Sequence, residues 1–231
     1  MRPTTDARAR LAELIAGAGA LLLDFDGPVC HLFSGYPARE VASAVRRFAH
    51  EHGGDLTETR TDDPLVLLRV AYQRSPGFGR DVEAFVIEQE THAAGSAEPT
   101  AGAHDTIHAA HAAGVPVLVV SNNSERAIRG YLARHELTDA VSQVIGRPFA
   151  RPEQMKPDPH LVSLALDMAR VSPHAAVFVG DSITDILAGT AAGVRCIGYA
   201  KQTERAEGLA DADADLVLDS MADVAAAFSR R

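Results

Sequence analysis

Short apolar runs and amphipathic stretches alternate along the second half of the chain. The runs are continuous, which is typical of strands buried on both faces of a parallel sheet. They fall at residues 115–120, 144–145, 175–179, 195–199 and 216–218. Helical patterns separate them, up to residue 113, at 125–135, 158–169 and 183–192, and from residue 220. This alternation predicts a parallel, doubly wound α/β sheet.

The first hundred residues follow a different plan. An amphipathic helix is predicted over residues 5–16, and an apolar strand ends at Asp24. From about residue 31 to residue 99 only helical patterns occur, at 38–50, 64–72 and 81–94. This stretch is too long for a loop in a compact domain. We therefore expect an α/β core formed by residues 1–30 and 100–231, with residues 31–99 inserted as a helical domain or lid.

Two carboxylates, Asp24 and Asp26, stand where the first apolar run stops. The carboxyl ends of strands in open α/β sheets are where such folds bind ligands. Ionised carboxylates are costly to bury unpaired, and a divalent cation is a common way of holding them. The alternative is a polar strand end followed by the turn at Gly27 and Pro28.

Three later segments carry further polar groups. Ser121 and Asn122 follow the second strong apolar run, with hydroxyl and amide groups suited to an anion, although a helix cap would use the same residues. Lys156 lies in a proline-rich loop, and Asp181 and Asp185 follow the run at 175–179. Together the four segments form one candidate site.

In this order and spacing the segments resemble the four motifs of the haloacid dehalogenase superfamily. The motifs are Asp24-x-Asp26-Gly27, Ser121, Lys156, and Gly180-Asp181-x-x-x-Asp185. The resemblance covers nearly all 231 residues. It implies a Rossmann-like core with an inserted α-helical cap, in the phosphatase branch that includes phosphoglycolate phosphatase. It also implies Mg2+ as cofactor and an aspartyl-phosphate intermediate.

Phosphoryl transfer needs a nucleophile, charge neutralisation and donors for the phosphoryl oxygens. We expect Asp24 to be the nucleophile and a Mg2+ ligand, and Asp26 to be the general acid and base. By the resemblance, the Asp26 carbonyl is also a metal ligand. Lys156 supplies positive charge to the phosphate and keeps Asp24 ionised.

The remaining predicted roles concern phosphate and metal. Ser121 and the amide of Asn122 are expected to bind the phosphoryl group together with the backbone N–H groups of Phe25 and Asp26. Asp181 is expected to complete the metal site. Asp185, one helical turn further on, would bind through water or orient the other ligands.

One residue departs from the family pattern, because Pro28 stands where its phosphatases usually have threonine. Asp26 favours phosphate esters over carbon–halogen or carbon–phosphorus substrates, but a sugar phosphomutase would share it. A catalytically silent member that binds a phosphorylated ligand or a protein is a further alternative. A phosphorylated receiver domain is disfavoured by the insert and by the second acid.

Substrate choice is expected to lie in the insert, because the core residues handle only phosphate, metal and protons. Candidates are Arg69, Tyr72, Arg74, Arg80 and a flexible turn at 76–79 that includes Phe78. His104, His108 and His111 recur at helical spacing, and we interpret them as an exposed helix face because no carboxylate or cysteine accompanies them.

Net charge and the length of the apolar segments limit the classes of partner that the protein is expected to bind. A net charge of −9 disfavours nucleic acid, and no segment has the apolar length of a membrane span. The charged N-terminal stretch is unlike a secretory signal, so a cytoplasmic location is expected. Cys30 and Cys196 suggest no disulfide. The expected partner is a small phosphorylated metabolite, acted on by a monomer or homodimer.

Overall fold

Residues 5–231, which the computed structural model describes, form an α/β fold around a parallel sheet. The strands are β1 (Ala20–Leu23), β2 (Cys30–His31), β3 (Glu98–Pro99), β4 (Val117–Val120), β5 (Gln143–Ile145), β6 (Ala176–Gly180), β7 (Arg195–Tyr199) and β8 (Leu216–Leu218). The helices are α1 (Thr5–Ala16), α2 (Ala38–Glu51), α3 (Pro64–Arg74), α4 (Pro76–Ala94), α5 (Ala103–Ala112), α6 (Glu125–Arg134), α7 (His160–Ala169), α8 (Ile183–Ala191), α9 (Thr203–Asp211) and α10 (Met221–Phe228).

Six strands pair in the order β5-β4-β1-β6-β7-β8, and every pairing in this sheet is parallel. β1 is central, and its side chains alternate between two apolar layers. Leu21 and Leu23 pack with residues of α1, α5, α6 and α10 on one face. Leu22 packs with residues of α7 and α8 on the other. This confirms the predicted fold class of a doubly wound, Rossmann-like sheet with an inserted helical segment.

The helical insert (residues 31–99) has an apolar cluster of its own. Val45 of α2, Leu67 and Leu68 of α3, and Val86 of α4 are all fully buried in it. Burying each such side chain stabilises the folded insert by roughly 1.5–3 kcal/mol. The two connections to the sheet run side by side as the antiparallel pair β2 and β3. The domain boundaries predicted after residues 30 and 99 lie in this ribbon.

Two elements differ from the pattern-based expectation. α4 begins at Pro76 instead of residue 81, because the Ser75 hydroxyl accepts a hydrogen bond from the Phe78 N–H and Pro76 takes the first helical position. The predicted flexible turn at 76–79 is therefore the first turn of a helix. The sequence pattern does not predict α9, because this helix is mostly polar and its one buried residue, Leu209, gives no apolar periodicity.

From the sequence, no segment is expected to span a membrane. Among the helices of residues 5–231, none combines the length and the apolar character that crossing a bilayer requires.

Candidate active site

The four motifs meet at the carboxyl edge of the sheet, around a cavity of about 820 Å³. β1 lies between β4 and β6, so the loops that follow these three strands converge there. The predicted site residues that line the cavity are Asp24, Asp26, Ser121, Asn122, Lys156, Asp181 and Asp185. Phe25 is the exception: its ring is buried in the sheet core, edge-on to Tyr131 at 5.3 Å between ring centroids.

Lys156 lies at the centre of the charged groups. Its Nζ is 2.7 Å from Oδ1 of Asp24 and 2.6 Å from Oδ1 of Asp185, and it donates to the Val120 carbonyl at 2.9 Å. These three acceptors match the three donors of an ammonium group. Burial works to lower the pKa of Lys156, but Asp185 and Asp24 outweigh it and raise that pKa above its ordinary value. The lysine therefore stays charged beside the predicted nucleophile.

Asp185 has a structural task in addition to its ion pair. It occupies the third position of α8, where its Oδ2 accepts from the Ser182 hydroxyl at 2.7 Å and from the Ser182 N–H at 3.0 Å. The Ser182 hydroxyl in turn accepts from the Asp185 N–H, which completes a capping box. Its two carboxylate oxygens are thus both engaged, one by the helix start and one by Lys156. This arrangement fixes Asp185 with little freedom to move.

Asp24, Asp181 and Asp185 each offer a carboxylate oxygen within 4.8 Å of the others. Burial, with repulsion between the acids adding to it, raises the pKa of Asp24 above its usual range and the pKa of Asp181 to about 8. A bound divalent cation would remove this penalty, and a set made only of oxygen donors suits Mg2+ better than zinc. The residues present therefore fit the cation that the family resemblance implies.

Gly27 allows this close grouping of acids. Its φ is +113°, and a Cβ atom at this position would lie 2.4 Å from Cγ of Asp181. Any other residue would therefore displace the carboxylate. The neighbouring Pro28 removes one N–H, but the turn closes without it because the Val29 and Cys30 N–H groups both donate to the Phe25 carbonyl. The departure at Pro28 thus leaves the loop intact.

Asp26 has different partners from Asp24. Its Oδ1 accepts from the Leu32 N–H at 2.9 Å, so its carboxyl group is tied to the start of the helical insert. Burial raises the pKa of Asp26 to about 7, and the Leu32 hydrogen bond opposes that rise. A carboxyl group with this pKa exchanges a proton readily near neutral pH.

The Ser121 loop is held by its own side chains. Asn122 binds the backbone of Lys156 with both ends of its side-chain amide: Oδ1 accepts from the Lys156 N–H at 2.8 Å and Nδ2 donates to the Lys156 carbonyl at 3.1 Å. The Ser121 hydroxyl donates to Oδ1 of Asn123 at 3.1 Å. The Asn122 side chain thus positions Lys156. The group of Asn122 that is left to bind an anion is its backbone N–H.

Two residues that the sequence analysis did not place in the site, Arg205 and Glu90, contribute to it, and so does Arg69, one of the candidates for substrate choice. Arg205 of α9 reaches Oδ2 of Asp181 at 3.0 Å. Arg69 of α3 lines the cavity and donates to the Lys156 carbonyl at 3.0 Å. Glu90 of α4 lines the cavity although it is almost completely buried. Recognition of α9 as a helix would have brought Arg205 to this edge of the sheet.

The other residues proposed to read the substrate lie elsewhere. Tyr72 donates its hydroxyl to Glu83, and the Phe78 ring packs directly over Gly54 inside the insert. Arg74 and Arg80 are not among the residues that line the cavity. Of the predicted group, Arg69 is therefore the side chain placed to meet a substrate.

The sequence profile of the family described as haloacid dehalogenase-like hydrolase matches residues 18–193. This chain belongs to that family. The match begins just before the strand that carries Asp24 and extends past Asp185, so it includes the whole of the acid cluster. It confirms the relationship that the four motifs indicate and the prediction that the protein is a hydrolase.

Curated relatives of this haloacid dehalogenase-like hydrolase carry the name phosphoglycolate phosphatase. Phosphoglycolate phosphatase 1 of Pseudomonas aeruginosa is 28% identical over 92% of this chain and 72% of its own length. A probable phosphoglycolate phosphatase of Pseudomonas putida is 32% identical, over 52% of this chain and 47% of that protein. This chain thus matches about half the length of the second relative. These relatives confirm its placement in the phosphatase branch.

Solved structures share the fold along nearly the whole chain. A haloacid dehalogenase family hydrolase of Deinococcus radiodurans, with bound phosphate and sodium, is 26% identical with a TM-score of 0.62, over 93% of this chain and 96% of its own. CbbY of Rhodobacter sphaeroides, in complex with phosphate, has a TM-score of 0.68 at 22% identity, over 89% and 95%. The second likeness shows the common fold alone.

Proposed function

We propose that this protein is a Mg2+-dependent phosphatase that hydrolyses a small phosphorylated metabolite through an aspartyl-phosphate on Asp24. The observation that carries the proposal is the pairing of two different carboxyl groups in one cavity. Asp24 is held by the Lys156 ammonium at 2.7 Å, and Asp26, two residues on, has a pKa of about 7. The names of the phosphatase relatives and the phosphate bound by the Deinococcus structure support it.

In the first step the Asp24 carboxylate attacks phosphorus, and the bond from phosphorus to the ester oxygen breaks. Asp26 donates its proton to that leaving oxygen, so an alcohol departs and Asp24 carries the phosphoryl group. Lys156 holds Oδ1 of Asp24 and so presents the carboxylate in a single orientation. The second step reverses the proton transfer: Asp26 takes a proton from water, the water oxygen attacks phosphorus, and orthophosphate leaves Asp24.

The phosphoryl oxygens are proposed to bind the Ser121 hydroxyl and the backbone N–H groups of Phe25, Asp26 and Asn122. Lys156 adds positive charge at short range without giving up its protein partners. Mg2+, held by Asp24, Asp181 and the Asp26 carbonyl, would neutralise charge on the phosphoryl group when bound. Asp185 orients this set through Lys156 and the start of α8.

The helical insert is proposed to act as a cap that covers the leaving group. Its residues His31, Phe33, Asp62, Leu65 and Arg69 line the cavity opposite the sheet edge. A cover of this kind excludes bulk water from the phosphoryl-transfer step and lets the insert discriminate between leaving groups. Action as a monomer or homodimer in the cytoplasm stays a prediction.

A phosphate-release screen tests the proposed function. Purified protein is offered a panel of phosphorylated metabolites, including phosphoglycolate and sugar phosphates, with Mg2+ and again with excess chelator. We expect release from at least one small ester with Mg2+ and its loss on chelation. Release that survives full chelation would contradict the metal assignment, and no release from any ester would contradict the phosphatase. Asp24→Asn serves as the inactive control.

A further inference from the structure

A buried cluster of three charges joins the helical insert to the sheet. The guanidinium of Arg147, in the loop after β5, lies 2.9 Å from Glu83 and 2.9 Å from Glu90, two residues of α4. The three side chains are only 1%, 2% and 1% exposed. Burying three charges costs desolvation energy that ion pairing does not necessarily recover. Arg147 lies outside the cavity lining, and the hydrolytic steps above do not use it.

The cluster forms hydrogen bonds with the loop that follows β4. Arg147 Nη1 donates to the Asn122 carbonyl at 2.7 Å, and Glu90 Oε2 accepts from the Ser124 N–H at 2.9 Å. Oε1 of Glu90 accepts from Nδ2 of Asn123 at 3.4 Å. Three consecutive residues of one loop are therefore held by an ion pair that spans the insert and the core.

The same loop carries the groups that face the phosphoryl position. Asn123 receives the Ser121 hydroxyl bond, and Asn122 binds both backbone groups of Lys156. A continuous series of hydrogen bonds thus runs from Arg147 and Glu90 to the serine and to the lysine. Displacement of Arg147 would move both by way of the loop, without any direct contact with substrate.

We propose that Arg147 is a positioning residue of the hydrolase, acting with Glu90 to set the geometry of the Ser121 loop and of Lys156. This inference rests on the proposed phosphatase function. Glu83 differs from Glu90 in its other partners: within residues 5–231 it accepts from the Tyr72 hydroxyl and from the Ala150 N–H, and none of its hydrogen bonds reaches the loop at 121–124. Glu83 therefore helps to hold Arg147, whereas Glu90 also holds the loop.

The main test replaces Arg147 by Met and by Lys. For hydrolysis of p-nitrophenyl phosphate we expect Arg147→Met to lower kcat by about 10- to 100-fold, the usual effect of sub-ångström to ångström misplacement. Inhibition by inorganic phosphate should weaken as well. Arg147→Lys should restore only part of kcat, because one ammonium cannot reproduce the planar fork that reaches both glutamates and the Asn122 carbonyl.

Arg134→Met is the control. Arg134 is exposed, but it also joins the core to the insert, donating from α6 to the Ala97 carbonyl at 2.6 Å, and this partner lies outside the Ser121 loop. Its loss should lower thermal stability while kcat stays within about threefold of the wild type. All rates are measured at a temperature at which every variant is folded by circular dichroism.

Substitutions of Glu83 and Glu90 distinguish a positioning role of the cluster from a purely stabilising one. They do so even if Arg147→Met does not fold. Both are buried partners of the same guanidinium, so a purely structural role predicts equal losses of kcat for Glu83→Gln and Glu90→Gln. Positioning predicts a loss of kcat at least about tenfold larger for Glu90→Gln. Equal effects of the two substitutions, or a folded Arg147→Met with unchanged kcat and phosphate inhibition, would overturn the proposal.

A second experiment distinguishes failure of the phosphatase proposal from failure of the positioning proposal. If the wild type hydrolyses no ester, the phosphatase proposal is wrong, and calorimetric binding of inorganic phosphate to the wild type and the same variants tests the positioning role. Weaker binding by Arg147→Met and Glu90→Gln than by Arg134→Met and Glu83→Gln would support it. Equal binding by all four variants, or no binding by the wild type, would overturn it.

Discussion

Asp24 and Asp26 are two residues apart, yet the fold gives them different surroundings. Asp24 is pinned by Lys156 and repelled by Asp185, whereas Asp26 receives a backbone N–H from Leu32 and lies at the cavity wall. A fixed, charged oxygen suits a nucleophile, and a carboxyl group with a pKa near neutrality suits a proton carrier. The division of labour thus follows from neighbours and not from residue type.

Replacing the two acids separately tests this division. Asp24→Asn should abolish turnover because no nucleophile remains. Asp26→Asn should still bind inorganic phosphate while kcat falls by about 10²–10⁴-fold, the usual contribution of a general acid–base group. Steady-state kinetics and phosphate calorimetry measure both effects. Near-normal turnover by Asp24→Asn would show that the covalent mechanism is wrong.

Gly27→Ala probes the crowding of the acid cluster. The added Cβ would meet the Asp181 carboxylate, so we expect a higher Mg2+ concentration for half-maximal activity and a loss of about 1–3 kcal/mol in the free energy of unfolding. Gly53→Ala is the control, because Gly53 also has a positive φ, +79°, but a Cβ there meets no atom within 4 Å. It should destabilise without changing the Mg2+ requirement. Urea unfolding and Mg2+ titrations compare the pair, and an unchanged Mg2+ requirement in Gly27→Ala would argue against the assigned role of Asp181.

At the scale of elements, the first turns of α8 and α9 place charged side chains in the site. α8 begins with a capping box whose acid is Asp185, so the residue that starts the helix also pairs with Lys156. α9 is a polar helix that places Arg205 against Asp181. In α8 a local backbone requirement and a chemical requirement are met by one side chain, whereas Arg205, in the first turn of α9, supplies a charge to Asp181 and caps no backbone group.

Helices α5 and α6 meet through a small aromatic cluster that predicts a pH effect on stability. A ring nitrogen of His104 lies 2.9 Å from the Tyr131 hydroxyl, and the His104 and His135 rings are 5.0 Å apart. Burial lowers the pKa of both histidines below their ordinary value. The unfolded chain therefore binds protons more readily than the folded protein, and the stability that these histidines contribute, present above pH ~6.5, is lost as the pH falls through their folded pKa.

A double variant, His104→Gln with His135→Gln, measures this contribution. Its melting temperature should change less between pH 7.5 and pH 5.5 than that of the wild type, because two groups that favour unfolding when protonated are gone. Differential scanning calorimetry at the two pH values gives the comparison. The exposed pair His108→Gln with His111→Gln on α5 is the control, and an equal effect from that pair would contradict the assignment to the partly buried His104 and His135.

At the scale of the whole molecule, the cavity lies between two separately packed apolar cores. The carboxyl edge of the sheet carries the residues proposed to bind phosphate and metal, and residues of the insert line the same cavity. Arg69 stands at the junction, because it lines the cavity and also contacts the Lys156 carbonyl. It is thus the insert residue best placed to recognise a polar or anionic leaving group.

Arg69→Met should change the ranking of substrates. Loss of the contact with Lys156 affects every ester alike, so the ratio of kcat/KM for a metabolite to that for p-nitrophenyl phosphate isolates recognition of the leaving group. We expect this ratio to fall by about tenfold for esters with anionic leaving groups, since one charge-assisted hydrogen bond is lost. Arg74→Met, which alters a residue outside the cavity lining, should leave the ratio unchanged. A ratio that is equally unaffected in both variants would place specificity elsewhere.

Most of the sheet was predictable from sequence. β7 and β8 have the bounds that their apolar runs indicate, and β4 and β6 differ by one or two residues. Buried parallel strands have a strong apolar signal that does not depend on context. Polar segments lack such a signal, so the pattern predicts no helix at α9 and a start of α4 five residues after the observed one. In α4 the Ser75 cap outweighed the low helix propensity of the Gly77 and Gly79 positions.

The residues of the candidate site also fall into those that the sequence predicts and those that it does not. Asp24, Asp26, Ser121, Lys156 and Asp181 could be grouped from sequence, because each follows a strand or a proline-fixed loop and such positions converge at one sheet edge. The role of the Asn122 side chain could not be read so well, since it binds the backbone of Lys156, 34 positions along the chain. The orienting role of Asp185 was open to prediction, because Ser182 and Asp185 are three positions apart and a capping box is a local pattern.

The sequence by itself determined the fold class, the family and the residue types at the carboxyl edge of the sheet, because apolar periodicity and motif spacing are local properties of the chain. Only the tertiary structure decided which insert residues face the cavity, that Arg205 reaches Asp181, and that Arg147 binds Glu83 and Glu90. The partners of Arg147 lie 64 and 57 residues away along the chain. Pairing over such distances depends on how the insert packs on the core, for which no local pattern exists.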